Sequence, residues 1–185
     1  MSKFKKSLVW LRRDLRLYDN AALYHSLNES NSVHCAFVFD SNILDELKNK
    51  TDQRVEFIWE SLFQIKSQLN KFGSDLIVEH GEPRIIIPKL IEVYQCDAMY
   101  INKDYEAYAN KRDAEIIRKL KIKGFQYKDQ VLYEKDEILT QSGTPYTVFT
   151  PYKNNHLKKI FNEGITQFDC DSYKVNLAKF KTRPC

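Results

Sequence analysis

Short runs of consecutive apolar residues, alternating with helical patterns, constrain the fold of this chain more than any other feature. Four such runs occupy positions 8–11, 36–39, 76–78 and 99–101. Continuous rather than alternating apolar character is typical of strands covered on both faces, as in a parallel sheet. A fifth, more polar segment at 125–132 is predicted to be a strand at the edge of the sheet.

The longest segment between these runs has clear helical periodicity. A helix is predicted to begin at Thr51 or Asp52 and to end before Gly73, which suits the position after a helix end. Its apolar residues recur every three or four positions and therefore predict one buried stripe. That stripe comprises Val55, Ile58, Leu62, Ile65, Leu69 and Phe72, and it is widened by Trp59 and Phe63, which are also expected in the core.

Two later segments are also predicted to be helical. One begins near Pro83, but Pro88 would remove a hydrogen bond from its first full turn, so the regular helix is expected to start only at Pro88. The other is expected to run from about Glu106 to Lys123 and to be closed by Gly124.

Five strands alternating with helices predict an α/β fold. We expect a Rossmann-like, doubly wound five-stranded parallel sheet, with strand order 3-2-1-4-5 and helices on both faces. The alternating pattern ends near residue 135, so residues 1–135 are predicted to form this domain. Residues 136–185 are interpreted as a connector, in which a short amphipathic segment is followed, after Asn162, by a linker or extended tail.

Composition and charge exclude several classes of protein. There is no secretory signal and no apolar run long enough for a membrane helix, so a cytoplasmic protein without membrane contact is expected. The cysteines and histidines are too scattered for a metal site, and we interpret the four cysteines as reduced thiols: Cys35, Cys96, Cys170 and Cys185. The net charge of +4 is mild, and the basic cluster at 118–123 is interpreted as a solvated helix face.

A candidate binding site is implied by the predicted strand order. In such sheets ligands bind beyond the carboxyl ends of the strands, where the order reverses, which here lies between strands one and four. Strand one ends in Arg12-Arg13-Asp14, and strand four is followed by charged residues at 103–106. The five glycines form no GxGxxG or Walker motif, and no nucleophile motif is present, so the residues favour a binding domain over a self-contained enzyme.

The segment LVWLRRDLRLYDNAAL at 8–23 closely resembles the opening motif of the photolyase/cryptochrome family. Similar stretches occur in the same order: FVFDSNIL at 37–44, DQRVEFIWESL at 52–62, NKDYEAYANKRD at 102–113 and YTVFTPYKNNHL at 146–157. The resemblance covers residues 6–162 and implies the N-terminal, light-harvesting antenna domain of such a protein.

The resemblance also implies a second domain and a reaction. In this family a C-terminal helical domain holds FAD, binds UV-damaged DNA and acts as a deoxyribodipyrimidine photo-lyase, a carbon–carbon lyase that repairs cyclobutane pyrimidine dimers with light. That domain is expected to be absent from this chain, which by itself is then expected to hold no FAD and no activity. The partners implied are the chain's own FAD domain, an antenna pigment and, mainly through the helical domain, damaged DNA.

Seven residues match antenna-binding positions of the family: Arg12, Asp14, Phe37, Asp40, Arg54, Asp104 and Glu106. A carboxylate at Asp104 or Glu106 can accept from a ring imide N–H, and Arg12 or Arg54 can meet acidic groups of the pigment. An alternative is that Arg12, Asp14 and Arg54 mainly hold loops together, the interpretation we prefer for Arg13 and Arg16. Methenyltetrahydrofolate is disfavoured, because Tyr108-Ala109 replaces the Asn-Glu of folate-holding relatives, so a deazaflavin, FMN or FAD antenna is expected.

Two other functions remain open from the sequence. A cryptochrome-type photoreceptor would use the same domain for signalling rather than repair, and nothing in these residues separates the two. A stand-alone nucleotide-binding α/β protein would end soon after strand five, and the segment at 146–157 argues against it.

Overall fold

The computed structural model describes residues 2–49 and 51–182. The strands are β1 (Phe4–Leu11), β2 (Ser30–Asp40), β3 (Leu76–Gly81), β4 (Ala98–Asn102) and β5 (Lys123–Tyr127). The helices are α1 (Ala21–Glu29), α2 (Ser41–Leu44), α3 (Gln53–Asn70), α4 (Pro83–Tyr94), α5 (Ala107–Lys119) and α6 (Phe149–Glu163), with a 3₁₀ turn after them at Asp171–Asn176. Among these residues no helix combines the length and the apolar character needed to cross a membrane.

The predicted sheet is confirmed. All five strands are parallel, in the order β3-β2-β1-β4-β5. The central strand β1 alternates its side chains between two cores: Val9 and Leu11 point to one face, and Leu8 and Trp10 to the other. Helices α1 and α3 cover the first face, while α4 and α5 cover the second. Both faces of the central strands are therefore buried under helices, which explains their continuous apolar sequence.

The expectation that Trp59 and Phe63 lie in the core is wrong. Trp59 is 51% exposed and Phe63 is 70% exposed. The fully buried residues of α3 are Leu62, Ile65 and Leu69, which form a narrow row toward the sheet. Trp59 and Phe63 lie to the side of this row on α3, and of the two only Trp59 contacts another ring among the described residues, that of Phe39, at 6.3 Å between centroids.

Two helix boundaries also differ from the sequence prediction. Helix α4 starts at Pro83, with Glu82 as its N-cap, and continues through Pro88. Burial of Ile87 and its neighbours on that helix outweighs the single hydrogen bond that Pro88 cannot donate.

Helix α5 ends at Lys119, and Gly124 lies in β5 rather than closing the helix. A Cβ atom at Gly124 would lie 3.0 Å from the Ile117 side chain, so this glycine allows α5 to pack closely on β5. Strand β5 is accordingly earlier and shorter than the predicted 125–132.

The tail after α6 contains the 3₁₀ turn at Asp171–Asn176 and is otherwise irregular, and its last described part is tied to the domain. The Ala178 amide donates to the Val33 carbonyl (2.9 Å), and the Phe180 amide donates to the Gly73 carbonyl (3.2 Å). The Thr182 amide and hydroxyl both donate to Asp75 at 2.8 Å. These contacts run along the amino ends of β2 and β3, so the tail is part of the packed structure. A domain boundary at residue 135 stays a prediction.

The described cysteines, Cys35, Cys96 and Cys170, are buried and unpaired, whereas Cys185 lies outside the described residues. Burial raises the pKa of the Cys35 and Cys96 thiols to about 12. Thiolate chemistry is therefore suppressed at these two positions near neutral pH.

One buried histidine, His34, lies in surroundings that disfavour its charged form. His34 is 7% exposed, packs against Tyr94 and Phe180, and has no hydrogen-bond partner at Nδ1. Burial, assisted by the positive charge of Lys6, lowers its pKa to about 4. The neutral form is the one that the folded state accommodates.

We predict that this stabilisation is complete above about pH 6.5, the pKa of an unfolded histidine, and is lost as the pH falls toward 4, because the unfolded chain then binds a proton that the folded chain excludes. The contribution is at most about 3 kcal/mol. Urea unfolding of the wild type and His34→Gln at pH 7 and pH 5 should show a smaller pH dependence in the variant. An equal loss of stability in both proteins would contradict the assignment to His34.

Candidate ligand-binding site

A cavity of about 440 Å³ opens beyond the carboxyl ends of β1 and β2, between α3 and the start of α5. Six of the seven residues predicted from the sequence line it: Arg12, Phe37, Asp40, Arg54, Asp104 and Glu106. The seventh, Asp14, is buried and does not line the cavity.

One wall of the cavity is apolar and in part aromatic. Strand β2 supplies Phe37 and Phe39, whose rings meet edge to face at 5.0 Å between centroids. The remaining side chains of this wall come from the loop after β1 and from the α2–α3 region: Leu15, Ile43, Leu44, Leu47, Val55, Phe57 and Ile58. An aromatic and aliphatic wall of this kind suits the face of a planar ring.

Asp40 is fully occupied by protein partners. Its Oδ2 accepts hydrogen bonds from the Tyr108 hydroxyl (2.9 Å) and from Arg112 (3.1 Å), and its Oδ1 accepts the backbone amide of Asn42 (3.0 Å). Burial, together with the hydrogen bond to Asp40, raises the pKa of Tyr108, which keeps the hydroxyl protonated as a donor. Asp40 therefore shapes the cavity floor rather than offering a free acceptor.

Two arginines close the inner end of the cavity: Arg112 is buried, and the side chain of Arg12 is about 10% exposed. Arg12 forms an ion pair with Asp113 and donates to the Asn102 carbonyl. Arg112 pairs with both Asp40 (3.1 Å) and Asp113 (2.9 Å). Their guanidinium carbons lie 5.1 and 4.7 Å from the ring centroid of Trp10, which is within cation–π range. Arg12 therefore holds elements together, which agrees with the alternative interpretation of this residue.

The polar rim is formed by Arg13, Asp104 and Glu106. Asp104 is only 8% exposed; it accepts the Glu106 amide at 3.1 Å and lies 3.5 Å from Arg13 Nε. Glu106 also pairs with Arg13, and both of these side chains are largely exposed. Exposed ion pairs are weak, so a ligand that offers its own polar edge can exchange with them at little cost. This rim is the part of the cavity that is chemically available.

Arg54 and Asp14 are engaged in local structure. Arg54 is exposed and pairs at 2.7 Å with Asp52, the N-cap of α3; its hydrogen bonds lower the pKa of Asp52 to about 2. Asp14 accepts the Arg12 amide (2.8 Å) and the side-chain amides of Asn20 (3.1 Å) and Asn102 (2.6 Å).

Besides the residues of the apolar wall, four residues that line the cavity are not predicted from the sequence as binding residues: Trp10, Arg13, Tyr108 and Arg112. Tyr108 and Arg112 are four positions apart on α5, and this spacing could have placed them on one helix face. Arg13 is interpreted from the sequence as a loop-holding residue only. Trp10 carries no signal of a site, because a tryptophan in an apolar strand predicts a core position.

A second concavity of about 280 Å³ lies between residues 128–133 and 163–168. Its charged side chains are already paired: Arg16 with Asp129 (2.7 Å), and Lys128 with Glu137 (2.7 Å). Val131 lines this concavity, as Val55 lines the first cavity.

Comparison with known proteins decides the family. The family model described as DNA photolyase matches residues 7–170. The chain belongs to the DNA photolyase family. It matches the N-terminal domain of photolyases and cryptochromes, as the resemblance implied.

Individual relatives of this photolyase-family domain include a deoxyribodipyrimidine photo-lyase from Synechococcus sp., 35% identical over 151 residues. That match covers 80% of this chain and 31% of the relative, so the chain spans about a third of its length. Cryptochrome-2 of Gallus gallus is 30% identical over 143 residues, with 76% and 24% of the two chains covered. The crystal structure of an archaeal photolyase from Sulfolobus tokodaii with two FAD molecules superposes with a TM-score of 0.70 at 27% identity, covering 87% of this chain and 36% of that one.

Substitution of Arg112 should lower the unfolding free energy of this photolyase-family domain much more than substitution of Arg54. Arg112→Met leaves the carboxylates of Asp40 and Asp113 buried with fewer partners, a change expected to cost about 3–5 kcal/mol of unfolding free energy. Arg54→Met removes only an exposed pair and should leave the midpoint of urea unfolding unchanged. Urea titrations followed by circular dichroism test both. Equal effects of the two substitutions would show that the Arg112 pairs are not structural.

Proposed function

We propose that this domain is the antenna of a deoxyribodipyrimidine photolyase, holding a planar light-absorbing pigment in the cavity at the carboxyl ends of β1 and β2. The observation that carries the proposal is the pairing of an aromatic, apolar wall with a polar rim at one cavity. In this proposal the pigment passes its excitation energy to FAD in a C-terminal helical domain, which repairs UV-induced cyclobutane pyrimidine dimers in DNA.

The chemistry of the rim favours a flavin or deazaflavin over methenyltetrahydrofolate. A flavin-type ring has one apolar edge and one edge that carries carbonyl and imide groups, matching the two sides of the cavity. Asp104 and Glu106 can accept from the imide N–H, and Arg13 can donate to a neighbouring carbonyl. Ala109 is buried and offers no carboxylate for a pterin, and Tyr108 is already bonded to Asp40.

The Synechococcus relative supports repair as the reaction, since it is named a photo-lyase. The Sulfolobus tokodaii structure supports a flavin antenna, since it is described as holding two FAD molecules and implying a novel light-harvesting cofactor. The similarity to Gallus gallus cryptochrome-2 favours a second candidate, a blue-light photoreceptor with the same pigment cavity. A stand-alone nucleotide-binding protein is disfavoured by the lack of a glycine-rich phosphate loop.

The proposed partner domain has a surface on which to dock. Helix α6 buries none of its residues, and Phe149 and Phe161 are 72% and 83% exposed. Exposed aromatic side chains of this size are typical of contacts with another domain. We propose that the FAD domain covers this helix and that the whole protein acts in the cytoplasm.

The location of the pigment can be tested by filling the cavity. Val55 lines its apolar wall, so Val55→Trp should occupy the space of the ring and reduce FMN affinity at least about tenfold, the equivalent of about 1.4 kcal/mol. Val131→Trp makes the same substitution in the second concavity and should leave binding intact. FMN fluorescence titrations measure the affinity of both variants. Loss of binding in Val131→Trp alone would assign the pigment to the second concavity instead.

The choice of pigment can be tested at the rim. Glu106→Gln removes a charged acceptor and should weaken FMN binding about tenfold, because a hydrogen bond to a charged group contributes about 1.5–3 kcal/mol. Glu60→Gln, at an exposed position on α3 outside the cavity, is the matched control. Wild-type protein should also bind FMN more tightly than methenyltetrahydrofolate. Tighter binding of the folate would contradict the pigment assignment.

A further inference from the structure

A group of exposed cations lies at the amino ends of β1 and β5 and at the end of α5, at the opposite end of the sheet from the cavity. Register pairs Ser7 with Ala98 and Ala98 with Lys123, so the starts of β1, β4 and β5 lie side by side. Helix α5 ends beside the start of β5, where Gly124 lies close to Ile117, so the end of this helix belongs to the same edge. We call this surface the basic edge; it consists of Lys5, Arg118, Lys119, Lys121 and Lys123, all exposed.

The acidic residues near the basic edge are already engaged elsewhere. Asp97 accepts the backbone amides of Lys5 and Lys6, both at 3.0 Å. Glu115 pairs with Arg84 at 2.6 Å, and Glu29 accepts from the Tyr100 hydroxyl at 2.8 Å. Among the described residues, none of the five cations of the basic edge takes part in an ion pair. Asp97 and Glu115 keep their negative charges, but the five cations outnumber them, so this surface carries a net positive charge.

We propose that the basic edge binds the phosphate backbone of duplex DNA, independently of the pigment cavity. Clustered lysines on one surface are the usual electrostatic footprint of nucleic-acid binding, and each phosphate contact releases a condensed counterion. Four of the five cations are lysines, which bind phosphates as point charges, and contacts to phosphates carry no sequence information. The contact is therefore independent of sequence and of DNA damage.

An anionic membrane is the other large polyanion, and the composition of the basic edge disfavours it. Peripheral membrane surfaces combine basic residues with apolar side chains that insert between lipids. No large hydrophobic side chain in the described segments 2–11 and 117–127 is prominently exposed. The basic edge offers charge alone, which suits a phosphate backbone in water.

The test compares two triple variants of the full chain with equal net charge. Lys119→Gln/Lys121→Gln/Lys123→Gln alters the basic edge, and Lys48→Gln/Lys89→Gln/Lys135→Gln removes three exposed lysines from three separate places. Anisotropy titrations use a labelled short duplex, with and without a thymine dimer, over a range of NaCl concentrations. The first variant should raise Kd about tenfold or more and reduce the slope of log K against log[NaCl] by about 2–3, whereas the second should stay near the wild type.

Several outcomes would overturn the proposal: equal losses in the two variants, an unchanged salt slope in the first, or a preference for the dimer-containing duplex. A loss of binding to phosphatidylserine vesicles without a loss of DNA binding would point to a membrane instead. Lys5→Gln/Arg118→Gln provides a second variant of the same surface, in which the DNA affinity should also fall. FMN titrations of the same variants separate this proposal from the antenna proposal, since the basic edge is remote from the cavity.

Discussion

The architecture depends on a buried hydrogen-bond network between Asp14, Asn20 and Asn102. Asn102, at the end of β4, donates to Asp14 (2.6 Å) and to the Asn20 side-chain oxygen (2.9 Å), and it accepts the Ala22 amide (2.9 Å). Asn20 caps α1 through the Leu23 amide at 3.0 Å. A buried polar network in which every group is hydrogen-bonded tolerates little change in the positions of its members, because a broken bond leaves an unpaired polar group in the interior. This network therefore fixes the end of β1, the start of α1 and the end of β4 relative to one another.

The cavity is a consequence of that arrangement. At the reversal of strand order, the chains leaving β1 and β4 diverge, and the loops after these two strands line the gap. Asp14 is fully hydrogen-bonded within the network. The guanidinium groups of Arg12 and Arg112, beside Trp10, are paired with Asp113 and Asp40. An apolar wall and the exposed rim at Arg13 and Glu106 remain available to a ligand. Rigid inner contacts and an exchangeable rim are compatible with binding of a preformed planar molecule.

The sheet was predictable because the buried strands have continuous apolar runs, and topology rules leave few orders for such runs. The cavity lies near the predicted reversal of strand order, since residues after β1 and after β4 line it, but β2 and α3 also supply much of its wall. Which carboxylate is free was not predictable: Asp40 and Asp104 look alike in the sequence, yet only tertiary contacts reveal that Asp40 is bonded to both Tyr108 and Arg112. The exposure of Trp59 likewise depends on how little of α3 the sheet covers.

In the antenna proposal, a flavin-type pigment lies at the carboxyl ends of the central strands. A titration of the ¹⁵N-labelled chain with FMN, monitored by amide chemical shifts, tests this directly. We expect the largest shifts at Phe39, Glu106 and Ala109, which line the cavity, and small shifts at Lys128 and Val131. Shifts confined to the second concavity, or none at saturating FMN, would contradict it.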